Sequence, residues 1–457
     1  METFFIRAVK NQFNLLLFFV VTMTLNACSG GGGSDSDDSS GDNPSVLGDV
    51  IRISVDNAGN EVIGGGGIPS ISDDGRYVAF ESGATSLVVG DTNGVPDIFV
   101  HDTAASTTTR VSVDSAGTEA NDYSLGHSIS GDGRYVAFGS EATNLVVGDT
   151  NGDRDVFVHD TVTSTTTRVS VDSIGMEGNG GSGGSNASIS GDGRYVAFDS
   201  TASNLVAGDT NGVQDIFVRD TVASTTTRVS VDSGGIEGNQ GSEGPVSISS
   251  SGRYIAFASS ATNLVAGDTN GTIDIFVHDT VTSATIRVSV DSAGMEGNGQ
   301  CYRPSISGDG RYVAFVSRAT NLVAGDTNGT ADIFVHDTVA STTSRVSVDS
   351  AGVEGNDESS NPSISGDGRF VAFDSYANLP LFGYASGGIR NVYVHDTVTS
   401  ETFRASVDSA GGEGNNDSAD ASINFDGQYV AFGSAADNLV AGDTNGGGDV
   451  FRKTIDR

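Results

Sequence analysis

Apolar residues along this chain come in short bursts rather than on a helical stripe. Tyr135 to Phe138, Y-V-A-F, is one burst, and Asp155 to His159, D-V-F-V-H, is another. No stretch around them shows an amphipathic helical period. Bursts that are apolar on both faces suit strands covered on both sides. T-R-V-S-V, from Thr167 to Val171, alternates instead. Val169 and Val171 fall on one face and Arg168 and Ser170 on the other, the pattern of a half-exposed outer strand. Glycine and aspartate punctuate the bursts. Gly131-Asp132-Gly133 separates a short strand, Ser128 to Ser130, from a longer one, Arg134 to Ser140. Such a tight turn needs a positive φ, which glycine supplies. The unit is therefore predicted to be four short strands.

This unit repeats. S-I-S-G-D-G-R-Y-V-A-F, in places altered, begins at Ser70, Ser128, Ser188, Ser247, Ser305, Ser363 and Ser422. Its glycines, from Gly75 to Gly427, are 58 to 60 residues apart, a period that marks a repeat architecture. Seven four-stranded units around an axis predict an all-β fold: a seven-bladed β-propeller of antiparallel blades. The last repeat stops after Asp449-Val450-Phe451 with no outer strand behind it, whereas Ile51 to Asp56, I-R-I-S-V-D, precedes the first full repeat unpaired. The N-terminal strand is expected to complete the last blade and close the ring, which removes exposed strand edges.

P-S-I-S-G-D-G-R-Y-V-A-F followed by D-I-F-V-H-D-T resembles the TolB-type propeller repeat, from about Val50 to the end. Isoleucine replaces the family's tryptophan, and glycine its second proline. The resemblance implies the propeller fold. It says little of function, because that family spans scaffolds, periplasmic binding proteins and accessory domains of peptidases.

Composition adds direction. The formal net charge is −36, and Lys10 and Lys453 are the two lysines. That balance excludes nucleic acid, which needs clustered cations, and favours cations, basic partners or solubility. Arg7 and Lys10 precede an apolar run, Phe13 to Leu25, too short to span a bilayer comfortably. Leu25-Asn26-Ala27-Cys28 then resembles the bacterial lipobox, departing at Asn26. It implies cleavage before Cys28, lipidation of that residue and, with Ser29 following, the outer membrane of a Gram-negative cell. An ordinary secretory signal with an incidental cysteine is the alternative. Anchoring by several acyl chains is stable where one is marginal. Residues 1–28 thus read as a lipoprotein signal, 29–48 as an acidic Gly/Ser tether and 49–457 as the propeller. Cys301 is left without an intrachain disulfide partner.

Charge is expected to divide between the two faces of the ring. Arginines that open the second strand, such as Arg134, are placed beside the aspartate of H-D-T, such as Asp160. Those of T-R-V-S-V, such as Arg168, are assigned to the same face. The histidines of H-D-T have no metal-like spacing and read as turn or edge residues. The other face is expected to keep its acids largely unpaired. It carries G-D-T-N-G-x-x-D loops: Asp91/Asn93/Asp97, Asp149/Asn151/Asp155, Asp209/Asn211/Asp215, Asp268/Asn270/Asp274, Asp326/Asn328/Asp332 and Asp443/Asn445/Asp449. They resemble the core of calcium loops, where oxygens alternate around a sharp glycine turn. Hairpin turns closed by Asx hydrogen bonds are the alternative.

No catalytic constellation stands out. Gly180-Gly181-Ser182-Gly183-Gly184 matches G-x-S-x-G but lies in a glycine-rich loop, without the strand-turn-helix of a nucleophile elbow. The repeats disagree at blades five and six, where Tyr302, Arg303, Arg318, Tyr376, Phe382, Tyr384 and Arg390 replace small or acidic residues. Aromatics beside arginines are what binding hot spots use. Tyr302, Arg303, Arg318, Tyr384 and Arg390 are expected to form a ligand patch; the other reading folds the aromatics inward as packing. The chain thus reads as a membrane-anchored, extracytoplasmic binding scaffold, monomeric, with a protein or polysaccharide partner and no certain cofactor, calcium in the D-T-N-G loops being the candidate. A carbohydrate-active enzyme, lyase or hydrolase, is the alternative.

Overall fold

A computed structural model describes residues 48–184, 186–377 and 388–455. The expected signal, Cys28 and most of the expected tether lie outside them. Residues 48–455 contain seven four-stranded antiparallel sheets and, among the described residues, no helix. In blade two the strands are A (Ser124–Ile129), B (Tyr135–Ser140), C (Asp155–Asp160) and D (Thr165–Arg168). Blade seven takes its D strand from the N-terminus. Val50–Arg52 pairs antiparallel with Asp449–Thr454, setting Val50 opposite Lys453 and Arg52 opposite Phe451. The ring is closed as the repeats imply.

Each residue of the G-D-G-R-Y turn has a partner. Gly133 sits at φ 73°, and a Cβ there would lie 2.1 Å from the Tyr77 ring of the preceding blade. Glycine is required twice over, for conformation and for space. Arg134 clamps Asp160 with two hydrogen bonds, 2.9 and 2.6 Å, and stacks over Tyr135. Blades one and three to six repeat this clamp. The core is sliced between blades. Phe138 and Phe157 stack within blade two at 5.9 Å, and every other blade has an equivalent ring pair. Around the axis the backbone links blade to blade: Gly131 N–H donates to Gly191, Gly191 to Ser250, Ser250 to Gly308 and Gly308 to Gly366. These bonds tie neighbouring sheets where side chains are smallest.

The outer strand differs from the expectation. It ends at Arg168 instead of beginning near it, because the ladder pairs His159 with Thr166 and Phe157 with Arg168. The V-S-V that follows belongs to the D–A loop. The D-strand arginines therefore emerge on the face of the D-T-N-G loops, opposite to the expected one. The H-D-T histidines are also more interior than turn or edge residues: His159 is buried in strand C, its Nδ1 2.9 Å from Thr166 Oγ1.

Candidate functional site

The D-T-N-G face holds two constructions, one repeated and one singular. In the repeated one the D-strand arginine of every blade except the sixth enters its own loop. Arg168 Nη1 lies 3.4 Å from Asp149, 3.0 Å from Asp155 and 2.8 Å from Glu177, and its side chain is 9% exposed. Arg52, Arg110, Arg228, Arg287 and Arg345 make the same threefold pairing. These acids are not unpaired, as the strand-end shift explains.

The asparagines of these loops differ from the calcium-loop expectation and close Asx turns instead. Asn151 Oδ1 accepts from Asp153 N–H at 2.9 Å, while its Nδ2 donates to Asp155 and to Gly178 C=O. The other five loops repeat this. Asn93 Oδ1 accepts from Val95 N–H, Asn211 from Val213, Asn270 from Thr272, Asn328 from Thr330 and Asn445 from Gly447. Their Nδ2 groups donate to Asp97, Asp215, Asp274, Asp332 and Asp449, at 2.8 to 3.2 Å. Each amide thus turns its N–H, not its oxygen, toward the acids. The oxygen that a cation would need is committed to the turn, two residues on.

The glutamate of S-x-G-x-E, missed in the sequence, completes the loop. Glu177 accepts from the Thr150 N–H and hydroxyl, which with Arg168 hold its carboxyl below the usual range. Burial and the neighbouring Asp155 push Asp149 up. Asp149, Asp155 and Glu177 still bring oxygens within 4.8 Å of one another, as do the sets of blades three and five, and such groups could hold a metal. A guanidinium already stands among them.

The singular construction lies on the innermost strands. In each blade one residue near the start of strand A has positive φ: Ile68, Gly126, Asn186, Gly244, Arg303, Asn361 and Asp420, between 48° and 89°. Five of these are not glycine, and each such residue carries strain of about 1–3 kcal/mol. Three of the five touch in sequence around the axis. Arg303 Nη1 donates to Asn361 Oδ1, and Asn361 Nδ2 donates to Asp420 Oδ1 at 2.8 Å. Asp420 N–H donates to Asp374 at 3.2 Å, and Asp374 pairs with Arg390, which lies over the Tyr376 ring. Asp374 is fully buried, and burial pushes its carboxyl well above the usual range despite Arg390.

The expected patch thus divides. Arg303 and Arg390 are joined through three polar residues. Tyr302 and Arg303 stand in strand A of blade five, Cys301–Ile306, rather than in the loop before it. Tyr302 is half-buried and packs against the core, within hydrogen-bonding reach of Arg318, which pairs with Glu358 at 3.3 Å. Phe382 and Tyr384 lie outside the described residues. Asn361, Asp374 and Asp420 were not singled out; their signal is that blades two and four have Gly126 and Gly244 where Asn361 and Asp420 stand, and Gly139 and Ala258 where Asp374 stands. Cys301 and Ser182 are structural. The Cys301 thiol is buried and pushed up to about 12, and Ser182 bonds Ser200 inside the sheet.

Against known proteins, no protein-family model matches the chain, and no curated protein matches it. Solved structures do. An oligogalacturonate lyase from Vibrio parahaemolyticus superposes with a TM-score of 0.51 at 12% identity, covering 90% of this chain and 99% of its own. The shared feature is the propeller fold. An oligogalacturonate lyase in complex with manganese gives the same score and identity, with coverage of 90% and 98%. TolB from Acinetobacter baumannii is 14% identical, with a TM-score of 0.39 over 84% of this chain and 81% of its own.

Proposed function

We propose that this chain is a membrane-anchored, extracytoplasmic binding propeller that takes a protein or glycan partner bearing an anionic group on the axial side of blades five to seven. The lipobox-like segment at Cys28 and the tether support the anchoring. The observation that carries the binding reading is the polar chain Arg303–Asn361–Asp420–Asp374–Arg390, built on strained backbone. Backbone strain kept at exposed or half-buried positions such as these points toward function rather than stability.

Arg303 allows a direct test. Arg303→Gly removes the exposed guanidinium and relieves the left-handed backbone at φ 53°. It is expected to lose binding at least tenfold while the melting temperature holds or rises. The assay is a pull-down and polysaccharide array with the full chain in detergent. Retained binding, or a clear loss of stability, would make Arg303 a packing residue.

The enzyme reading has one observation of its own. The Asp374 carboxyl, held protonated toward neutral pH beside Arg390, has the character of a general acid. The fold is shared with oligogalacturonate lyases. Unsaturated uronate formed from oligogalacturonate, and lost in Asp374→Asn, would favour this reading over pure binding.

The calcium reading concerns the D-T-N-G loops. The acids of blade two could hold an ion, but calcium needs six to eight oxygens and would have to share the cluster with Arg168. The amide oxygen of Asn151 is already taken by the turn. With that cation resident, coincident melts in EDTA and in millimolar calcium are expected. A calcium-dependent rise would assign an ion to these loops.

A further inference from the structure

Where blades seven, one and two meet on the D-T-N-G face, a cavity of about 300 Å³ opens to solvent. Its lining includes Gly66, Gly67, Gly83, Gly448, Leu125 and Glu81. Gly66 is needed for packing, since a Cβ there would lie 2.8 Å from Phe80. Gly67, Gly83 and Gly448 are not. None has a left-handed φ, and a Cβ on Gly67 or Gly83 would meet nothing within 4 Å, on Gly448 nothing nearer than 3.9 Å. Other blades use side chains at these places: Tyr302 for Gly67, Arg318 for Gly83, Arg390 for Gly448. Three adjacent positions where side chains would fit have none. The result is open space walled by backbone, the arrangement that lets a ligand approach the main chain closely.

Glu81 is the charge in that space. The corresponding acids of other blades face a partner at the start of strand C: Asp199 meets Gln214, and Asp374 meets Arg390. Glu81 has Pro96 there instead. The group it accepts from is the backbone N–H of Gly126, and Asp420 adds repulsion. Burial, more than Asp420, pushes its carboxyl up to about 7. A half-buried acid that meets no cation among the described residues, in a chain of net charge −36, draws positive ligands. One carboxylate supplies too few oxygens for calcium. An ammonium group donates three hydrogen bonds, and the Glu81 carboxylate is a charged acceptor for it. The volume admits a side chain or a small molecule, not a folded element.

We infer that this cavity is a subsite for a primary ammonium group, carried by a small amine or by a lysine side chain. It does not depend on ligand binding at Arg303. Isothermal titration of the full chain tests it with cadaverine, Nα-acetyl-lysine amide and, as the uncharged counterpart, 1,5-pentanediol. One or both amines should bind and the diol should not. Cadaverine alone would assign free amines; the lysine amide would assign a protein's side chain. Glu81→Gln should weaken binding at least tenfold. Gly448→Leu, which fills the cavity from an unstrained position, should do the same with the melt unchanged. Binding of the diol equal to that of the amines, titrations of Glu81→Gln identical to the parent, or heat from neither amine would overturn the subsite.

Discussion

Deleting residues 48–56 is expected to abolish the cooperative melt, or to drive the protein into aggregates, at temperatures where the full chain is folded. More than a short strand is lost. Val50–Arg52 forms the ladder with Asp449–Thr454, and Ile53, fully buried, belongs to the core between blades seven and one. Arg52 is the guanidinium of blade seven, pairing Glu61 at 2.8 Å and Asp443 at 2.9 Å, and lying 3.6 Å from Asp449. Ser54 donates to Asp449 at 2.6 Å. Without them Asp449, fully buried, has neither cation nor hydroxyl beside it. Abandoning one partner of such a group costs roughly 3–5 kcal/mol. That alone approaches the 5–15 kcal/mol by which native proteins are stable, and the bare edge of Asp449–Thr454 would then offer pairing to another chain. Calorimetry with light scattering reads both effects. Removal of residues 29–44 is the control and should leave the melt in place. An unchanged melt after loss of residues 48–56 would mean that the N-terminal strand is dispensable for closure.

The ring and its closure could be read from the chain because they depend on what repeats. Gly133, Arg134, Tyr135 and Asp160 recur at fixed spacing, and local turn chemistry with strand pairing accounts for all four. The charge clusters could not be read, for two physical reasons. A three-residue shift in where strand D ends, from Val171 to Arg168, carries Arg168 from one face to the other, and the alternation of T-R-V-S-V does not fix that end. Glu177 recurs in every repeat, so its importance was visible, but it meets Thr150 across 27 residues of chain, and no local pattern points there. The loop asparagines were legible as residues and ambiguous as chemistry. An amide such as Asn151 offers an oxygen to a cation or to its own turn, and only the position of the arginine decides between them. The axial residues were hidden for the opposite reason. Asn361 and Asp420 are set by a bulge that turns one residue of strand A to positive φ, and bulges leave little trace in alternation. Departure from the repeat did point to Arg303 and Arg390. It did not reveal that a buried acid joins them.

Arg168→Met should be among the most destabilising single substitutions in the chain, and the same substitution at Arg404 distinctly milder. Arg168 is nearly buried and faces Asp149, Asp155 and Glu177, with its Nη2 donating to Gly148 C=O at 3.1 Å. Methionine can replace its apolar stem but not its charge. Asp155, fully buried, and Asp149, already raised by burial and by Asp155, would be left facing each other. A loss of about 3–5 kcal/mol is expected. Blade six supplies the comparison. Asn391 stands where other blades have the aspartate of strand C, and Ser406 donates to it at 2.9 Å. Arg404 pairs with Glu413 at 2.7 Å and stacks on Tyr393. Fewer acids lose a cation there. The pH dependence separates electrostatics from packing. Without Arg168 the folded-state pKa values of Asp149 and Asp155 move further above their unfolded values. Their contribution is then most favourable below the unfolded pKa and is lost as pH rises through the folded one. The deficit of Arg168→Met against the parent should therefore shrink on going from pH 7 toward pH 4, where the acids take up protons. Asp155→Asn in the same chain should recover part of it at pH 7. Urea melts of the four proteins at both pH values provide the measurement. A deficit independent of pH, or an equal cost at Arg404, would show that these arginines act by filling space rather than by neutralising the loop.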